Sequence, residues 1–307
     1  MTLDQLIADL GDDSKPMKHS GLDQLSGLVS EDIVQFKLSW RSLPTSRRCE
    51  ILAMLAELSE DNLELDFTAV FRASLSDDDD DVRERATRGL FDCDDRVIIR
   101  PLVDLLAKDP SPKVKAAAAI SLGKFAEMAQ DGKLLERDAD RIREALLEAI
   151  GREGQDEEVK RKAIEAVASF NSDEVQQIIR EAYQNGDATL KQTAIYAMGR
   201  SSDSQYLSTV LDETHHESPA IRYEAAMAAG QLGDESTVPY LIRLIKDDDF
   251  QVQLSAVQAL GEIGGPLAKR ALLQCLKMGE DALEDAAQAA LVNFEVDEDP
   301  LGFRFQV

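Results

Sequence analysis

One helical pattern is spelled again and again along the chain, with alanine at the same place each time. From Phe250 to Gly264 it reads FQVQLSAVQALGEIG. Aligned on the apolar residue that opens it, the copies start at Val82, Val114, Val159, Leu190, Ile221, Val252 and Leu283. Most starts stand about 31 residues apart, a period that marks stacked repeat units. One helical turn after each start comes Ala86, Ala118, Ala163, Ala194, Ala225, Ala256 or Ala287. A further turn on stands Leu90, Leu122, Val167, Met198, Ala229, Leu260 or Leu291. A single unit with such a column has too little neighbouring surface to bury it, so copies must stack, each covering the next. The pattern therefore predicts an all-α fold, a right-handed α-solenoid of roughly eight helix pairs.

Taken in order, residues 1–30 read as an N-terminal arm or cap, in which Leu3, Leu6, Ile7 and Leu10 make one short amphipathic helix before Gly11. The solenoid is expected over 31–294 and an acidic tail over 295–307. Each unit pairs a first helix, such as VIIRPLVDLLAKD at Val97–Asp109, with the repeated second helix. Thr45 or Ser46, Ser111 and Ser218 are read as helix N-caps beside prolines. Gly123, Gly199, Gly230 and Gly261 fall near the end of the second helix, where close packing or a tight exit suits glycine. The long step between Val114 and Val159 holds the one sizeable insertion, AEMAQDGKLLERD.

The formal net charge of −25 opposes binding to DNA or RNA, whose affinity rests on Lys and Arg neutralising phosphates, and opposes anionic membrane as well. No apolar run approaches the roughly 20 residues that cross a bilayer. Cys49, Cys93 and Cys275 lie far apart without metal-type spacing, as thiols of a reducing cytoplasm do. A cytoplasmic protein is expected.

A first helix of the form PLVDLL, an Asp-containing turn and then V(R/K)xxAxxxLG resembles HEAT repeats, in particular the bacterial subtype of the phycobilisome lyases. The resemblance covers about residues 31–294 and is specific for fold. It implies that the second helices line the concave face. It also implies that the turn Asp pairs with the basic residue after the opening Val, Asp77 with Arg83 and Asp109 with Lys115. The basic column runs on through Lys160, Lys191 and Arg222 to Gln253 and Glu284.

HEAT-like proteins include scaffolds, lyases, DNA glycosylases and a deoxyhypusine hydroxylase that builds a di-iron site from several His-Glu pairs. The chain has three histidines, His19, His215 and His216, and one such pair, His216-Glu217. Two adjacent histidines cannot fill a metal sphere without further partners. The Asp77–Asp81 run lacks the alternation and closing Glu of a calcium loop, and is read as an acidic turn. Neither a catalytic residue, a metal nor another cofactor is expected, and the chain is read as a non-enzymatic scaffold; the alternative is a phycobilin-type lyase subunit or another HEAT-like enzyme.

Two positions of the second helix face away from the predicted core, two and six residues after its start. In the middle units they hold Gln192 and Tyr196, Tyr223 and Met227, Leu254 and Gln258. Large residues on a face expected to be wet mark a binding surface. With Arg222 as part of a polar rim, these residues are expected to bind a helix or extended peptide of a protein partner with apolar anchors and some basic charge.

Overall fold

A computed structural model describes residues 3–12 and 19–298. The chain divides into two compact units, Met1–Ala166 and Val167–Val307. All regular structure among the described residues is helical, and the fold is the all-α HEAT-like solenoid of stacked helix pairs that the repeats predict.

In the first unit α1 (Leu3–Leu10) and the single turn α2 (His19–Leu22) precede four pairs. These are α3 (Ser30–Trp40) with α4 (Thr45–Asp61), α5 (Thr68–Ser74) with α6 (Asp80–Arg88), α7 (Ile99–Lys108) with α8 (Pro112–Gln130), and α9 (Glu136–Gly151) with α10 (Glu157–Val167), whose last residue crosses the division. The N-terminal amphipathic helix is part of the stack. Leu6, Ile7 and Leu10 are buried, and α1 packs on α3. The insertion adds no new element; it lengthens α8 to 19 residues and α9 to 16.

Four more pairs make the second unit: α11 (Asp173–Asn185) with α12 (Ala188–Arg200), α13 (Leu207–Glu213) with α14 (Pro219–Leu232), α15 (Val238–Leu244) with α16 (Phe250–Ile263), and α17 (Gly265–Cys275) with α18 (Asp281–Glu298). Helix α18 carries the start of the expected acidic tail to Glu298; residues 299–307 lie outside the described ones. The second helices α12, α14, α16 and α18 pack directly on one another, far more closely than the first helices α11, α13, α15 and α17 do.

Small residues allow that closeness. A Cβ on Gly199 would stand 2.7 Å from the Ala228 Cα, one on Gly230 2.8 Å from the Ala259 Cα, and one on Gly261 2.8 Å from the Ala290 Cβ. All are separations that real Cβ atoms do not show, so each glycine is the point where one second helix crosses the next. The packing also buries α16 on three sides: Val252, Ser255, Ala256, Val257, Ala259 and Leu260 are all covered.

Acidic turns link successive pairs, in a register that differs from the expected one. Asp77 and Asp109 do not pair with Arg83 and Lys115 of their own units. Arg48 meets Asp77, Arg83 meets Asp109 through Nε (2.8 Å) and Nη2 (3.0 Å), and Arg222 meets Asp247 at 2.7 and 2.6 Å. Each arginine reaches forward to the turn of the following unit. Its remaining nitrogen, Nη1 in Arg83 and Arg222, donates to the carbonyl six residues before it, Asp77 O or His216 O. Gln253 makes the same backward bond to Asp247 O. One guanidinium thus closes its own turn and staples the next, which a one-unit reading of the motif could not show. The Asp109 bond also raises the Arg83 guanidinium above its ordinary pKa, as Asp247 does for Arg222.

In the unit opened by Leu190 the staple is respelled. Lys191 meets the buried Glu213 at 2.8 Å, and the Tyr183 hydroxyl donates to the same oxygen at 2.5 Å. Burial alone would push the Glu213 carboxyl up, but these two partners more than offset it and hold it below the usual glutamate value. The serine caps do not form as predicted. Ser111 and Ser218 occupy the N-cap places without a side-chain capping bond; instead their own N–H groups are held, that of Ser111 by Asp109 Oδ1 (2.9 Å) and that of Ser218 by His216 Nδ1 (3.0 Å). Thr45 is already the first residue of α4.

Candidate functional site

With their flanks covered, the second helices keep one narrow strip each that is exposed or only half-buried. On α16 it runs through Gln251, Leu254, Gln258 and Glu262; on α18 through Asp285, Ala289 and Val292. On α14 the corresponding strip holds Tyr223, Met227 and Gln231, and on α12 Gln192 and Tyr196. The two sequence positions read as facing away from the core are therefore the least covered columns. They are less wet than expected, because the next second helix leans over them: Gln192, Tyr196, Tyr223, Met227 and Leu254 are all half-buried, and only Gln258 is exposed. Tyr196 also carries the Arg200 guanidinium over its ring at 6.0 Å.

Arg222 is not part of a free rim. Its Nε and both terminal nitrogens are taken by Asp247 and by the carbonyls of His216 and Glu217. The residue type fits an anion-binding rim and an inter-unit staple equally well, and the structure uses it as the staple.

Between α16 and α18 the strip opens into a groove of about 570 Å³. Leu254 and Gln258 line it together with Gly261, Glu262, Ala286, Ala289 and Ala290. The sequence reading had two of these residues and missed the α18 side. The missed signal was Ala289, at a column where every other unit carries a larger residue: Arg88, Ile120, Glu165, Tyr196, Met227 or Gln258. Gln258 Nε2 donates to Glu262 Oε1 at 3.1 Å, so the rim beside the apolar floor is a fixed amide and carboxylate. A small-residue floor with an acid at its edge can take one bulky apolar side chain and a neighbouring cation.

The residues do not fit a di-iron centre. His216 Nδ1 is engaged by the Ser218 N–H just before α14, and His215 Nδ1 lies 3.0 Å from the Thr214 hydroxyl. The chain's remaining histidine is His19, in the other unit. Among the described residues the carboxylate, His or Cys group close enough to share an ion is Asp79, Asp80 and Asp81. Each has other work. Asp79 caps α6 through the N–H groups of Asp81 and Val82 (2.9 and 3.2 Å). Asp80 accepts from the Ser111 hydroxyl at 2.8 Å and meets Lys113, which also holds Asp81. The cysteines are unpaired, and burial pushes the Cys49 and Cys275 thiols up, away from reactivity.

Comparison with known proteins supplies what the repeat columns cannot. A family model described as HEAT repeats matches residues 68–151, 143–214 and 207–292. A deoxyhypusine hydroxylase of Candida albicans is 32% identical over 105 residues, 33% of this chain and 29% of the relative. The match thus takes in under a third of that enzyme's length. Human deoxyhypusine hydroxylase, solved with glycerol, overlays with a TM-score of 0.39 at 18% identity, covering 89% of this chain and 97% of that one. A Kap95p–RanGDP complex gives 0.47 at 15% identity, covering 98% and 47%. Overlays of that depth say nothing of activity. The curated relative corrects several expectations. It is a eukaryotic enzyme, so the bacterial phycobilisome-lyase subtype does not hold. The purely non-enzymatic scaffold and the expectation of no enzyme lose their ground with it. The physical reason is that the V(R/K)xxAxxxLG columns are core and staple positions, which any HEAT stack needs whatever its lineage or chemistry. What the matched repeats do establish is membership: the chain belongs to the HEAT-repeat family.

Proposed function

We propose that the chain is a HEAT-like enzyme, or the substrate-holding subunit of one, that takes a polypeptide segment on the second-helix face of its second unit. The observation that carries this reading is the α16–α18 groove, with alanines and Gly261 as its floor, Leu254 as its wall and Glu262 at its edge. Tyr223 and Met227 on α14, and Tyr196 and Gln192 on α12, lead toward it as further contacts. Rigid tyrosines and an adaptable methionine suit such a surface. The likeness to a curated enzyme supports the enzymatic half of the proposal, and the net charge of −25 supports a segment with basic residues beside its apolar anchors. The same charge speaks against nucleic acid, and the three unpaired thiols suit a reducing cytoplasm.

Selection from a random peptide library on the wild-type protein tests the surface. The selected peptides should share a bulky apolar residue flanked by Lys or Arg. Ala289 is exposed, so Ala289→Trp can fill the groove without touching the core. It should weaken the consensus peptide by about tenfold or more, and Tyr223→Ala or Tyr196→Ala by about 1–3 kcal/mol each. Peptides without a shared motif, or a consensus that binds Ala289→Trp unchanged, would reject the groove.

A further inference from the structure

On the turn edge of the second unit, around the end of α15 and its turn, lies a second cavity, of about 350 Å³, lined by Thr214, His215, Arg222, Tyr240, Arg243, Leu244, Lys246, Asp247 and Asp248. Its charge is unlike the rest of this acidic chain. Arg222 and Asp247 cancel one another in their two-bond pair. That leaves Arg243 and Lys246 facing the single carboxylate of Asp248. Arg243 is held over the Tyr240 ring at 4.9 Å, and neither it nor Lys246 forms an ion pair among the described residues. The Tyr240 ring also meets His215 at right angles, with the ring centres 5.9 Å apart. One aromatic ring thus touches both the Arg243 guanidinium and the His215 imidazole beside a single opening that Lys246 also lines.

We infer that this cavity binds a phosphate group. Two cations outside any ion pair, one at the end of α15 and one in the turn after it, suit an oxyanion that accepts from more than one direction, and a guanidinium matches phosphate oxygens in pairs. Asp248 repels a simple anion without neutralising both cations, so a dianion gains most. The volume is at the small end of the range for ligand sites, enough for free phosphate or for a small phosphate ester whose carbon part rests on Tyr240 and Leu244.

The test is a proton–carbon NMR titration of the His215 ring, assigned by His215→Gln, at constant pH and ionic strength. Inorganic phosphate and glycerol phosphate are the two probes. Either should shift the His215 signals saturably, where the same ionic strength of chloride does not. Tighter binding of the ester names a phosphorylated small molecule as the ligand, and tighter binding of the ion names free phosphate; both outcomes support the site. Arg243→Ala with Lys246→Ala, both at exposed positions, should keep the circular dichroism of the wild type and weaken binding by about tenfold or more. Arg270→Ala, on α17 and outside the cavity, should leave it unchanged. Shifts that never saturate, that chloride reproduces, or that survive in the Arg243/Lys246 double variant would overturn the inference.

Discussion

Asp77→Ala is expected to lower folding stability by about 3–5 kcal/mol, the cost of stranding one member of a buried ion pair. The Asp77 side chain is 1% exposed and that of Arg48 11%. Both Asp77 oxygens face Arg48 Nη1, at 2.6 and 2.5 Å, and Oδ2 also accepts from Trp40 Nε1 at 3.0 Å. The Asp79 N–H donates to Oδ1 as well. Alanine would leave the guanidinium, the indole N–H and a backbone N–H without their acceptor. The indole makes the measurement direct, because Trp40 is the chain's one tryptophan and its emission follows urea unfolding of the first unit. Asp77→Leu combined with Arg48→Met should recover most of the loss, since a well-filled apolar pair replaces a buried ionic one at little cost. A loss below about 1 kcal/mol for Asp77→Ala would show that the turn staples are ordinary surface pairs.

Gly230→Ala separates two opposite expectations. Helix propensity alone says that alanine in place of glycine within a helix should stabilise it, by up to about 0.5–1 kcal/mol. The packing predicts the reverse. A Cβ at Gly230 meets the Ala259 Cα at 2.8 Å and its Cβ at 2.9 Å, and backbone of a neighbouring helix cannot swing away as a side chain does. Overpacking of that kind costs about 1–3 kcal/mol, and Gly230→Val should cost more. Gly151, at the end of α9, has nothing within 4 Å of an added Cβ, so Gly151→Ala serves as the control that follows propensity. If Gly230→Ala stabilises the protein as Gly151→Ala does, α14 and α16 do not cross where described.

These two residues also show what the sequence reveals and what it hides. The period of the opening Val, the Ala one turn later and the Gly after it are all packing positions, so they announce the helix pairs and even the closeness of the second helices. Arg222 shows the limit. Its place in the basic column is legible, but its acceptor is the Asp of the next unit, a contact that only the stacking distance decides. The candidate site was half legible for a similar reason. Leu254 and Gln258 stand out because they are large or polar on an uncovered column, whereas Ala286, Ala289 and Ala290 matter by being small, and small residues look like ordinary packing until the opening above them is seen. Likeness to an enzyme entered the sequence reading only as its alternative, because the columns that define the repeat are those that chemistry does not use.

The chain shares HEAT repeats with the hydroxylase, and by our proposal a surface for substrate, but its residues do not fit a His-Glu metal centre. The most direct measurement is the metal content of protein expressed in iron-supplemented medium and purified without chelator. The expected result is iron well below one ion per chain, unchanged by His216→Ala, since His216 Nδ1 is taken by the Ser218 N–H. Stoichiometric iron that falls on His216→Ala while the helical signal persists would contradict it.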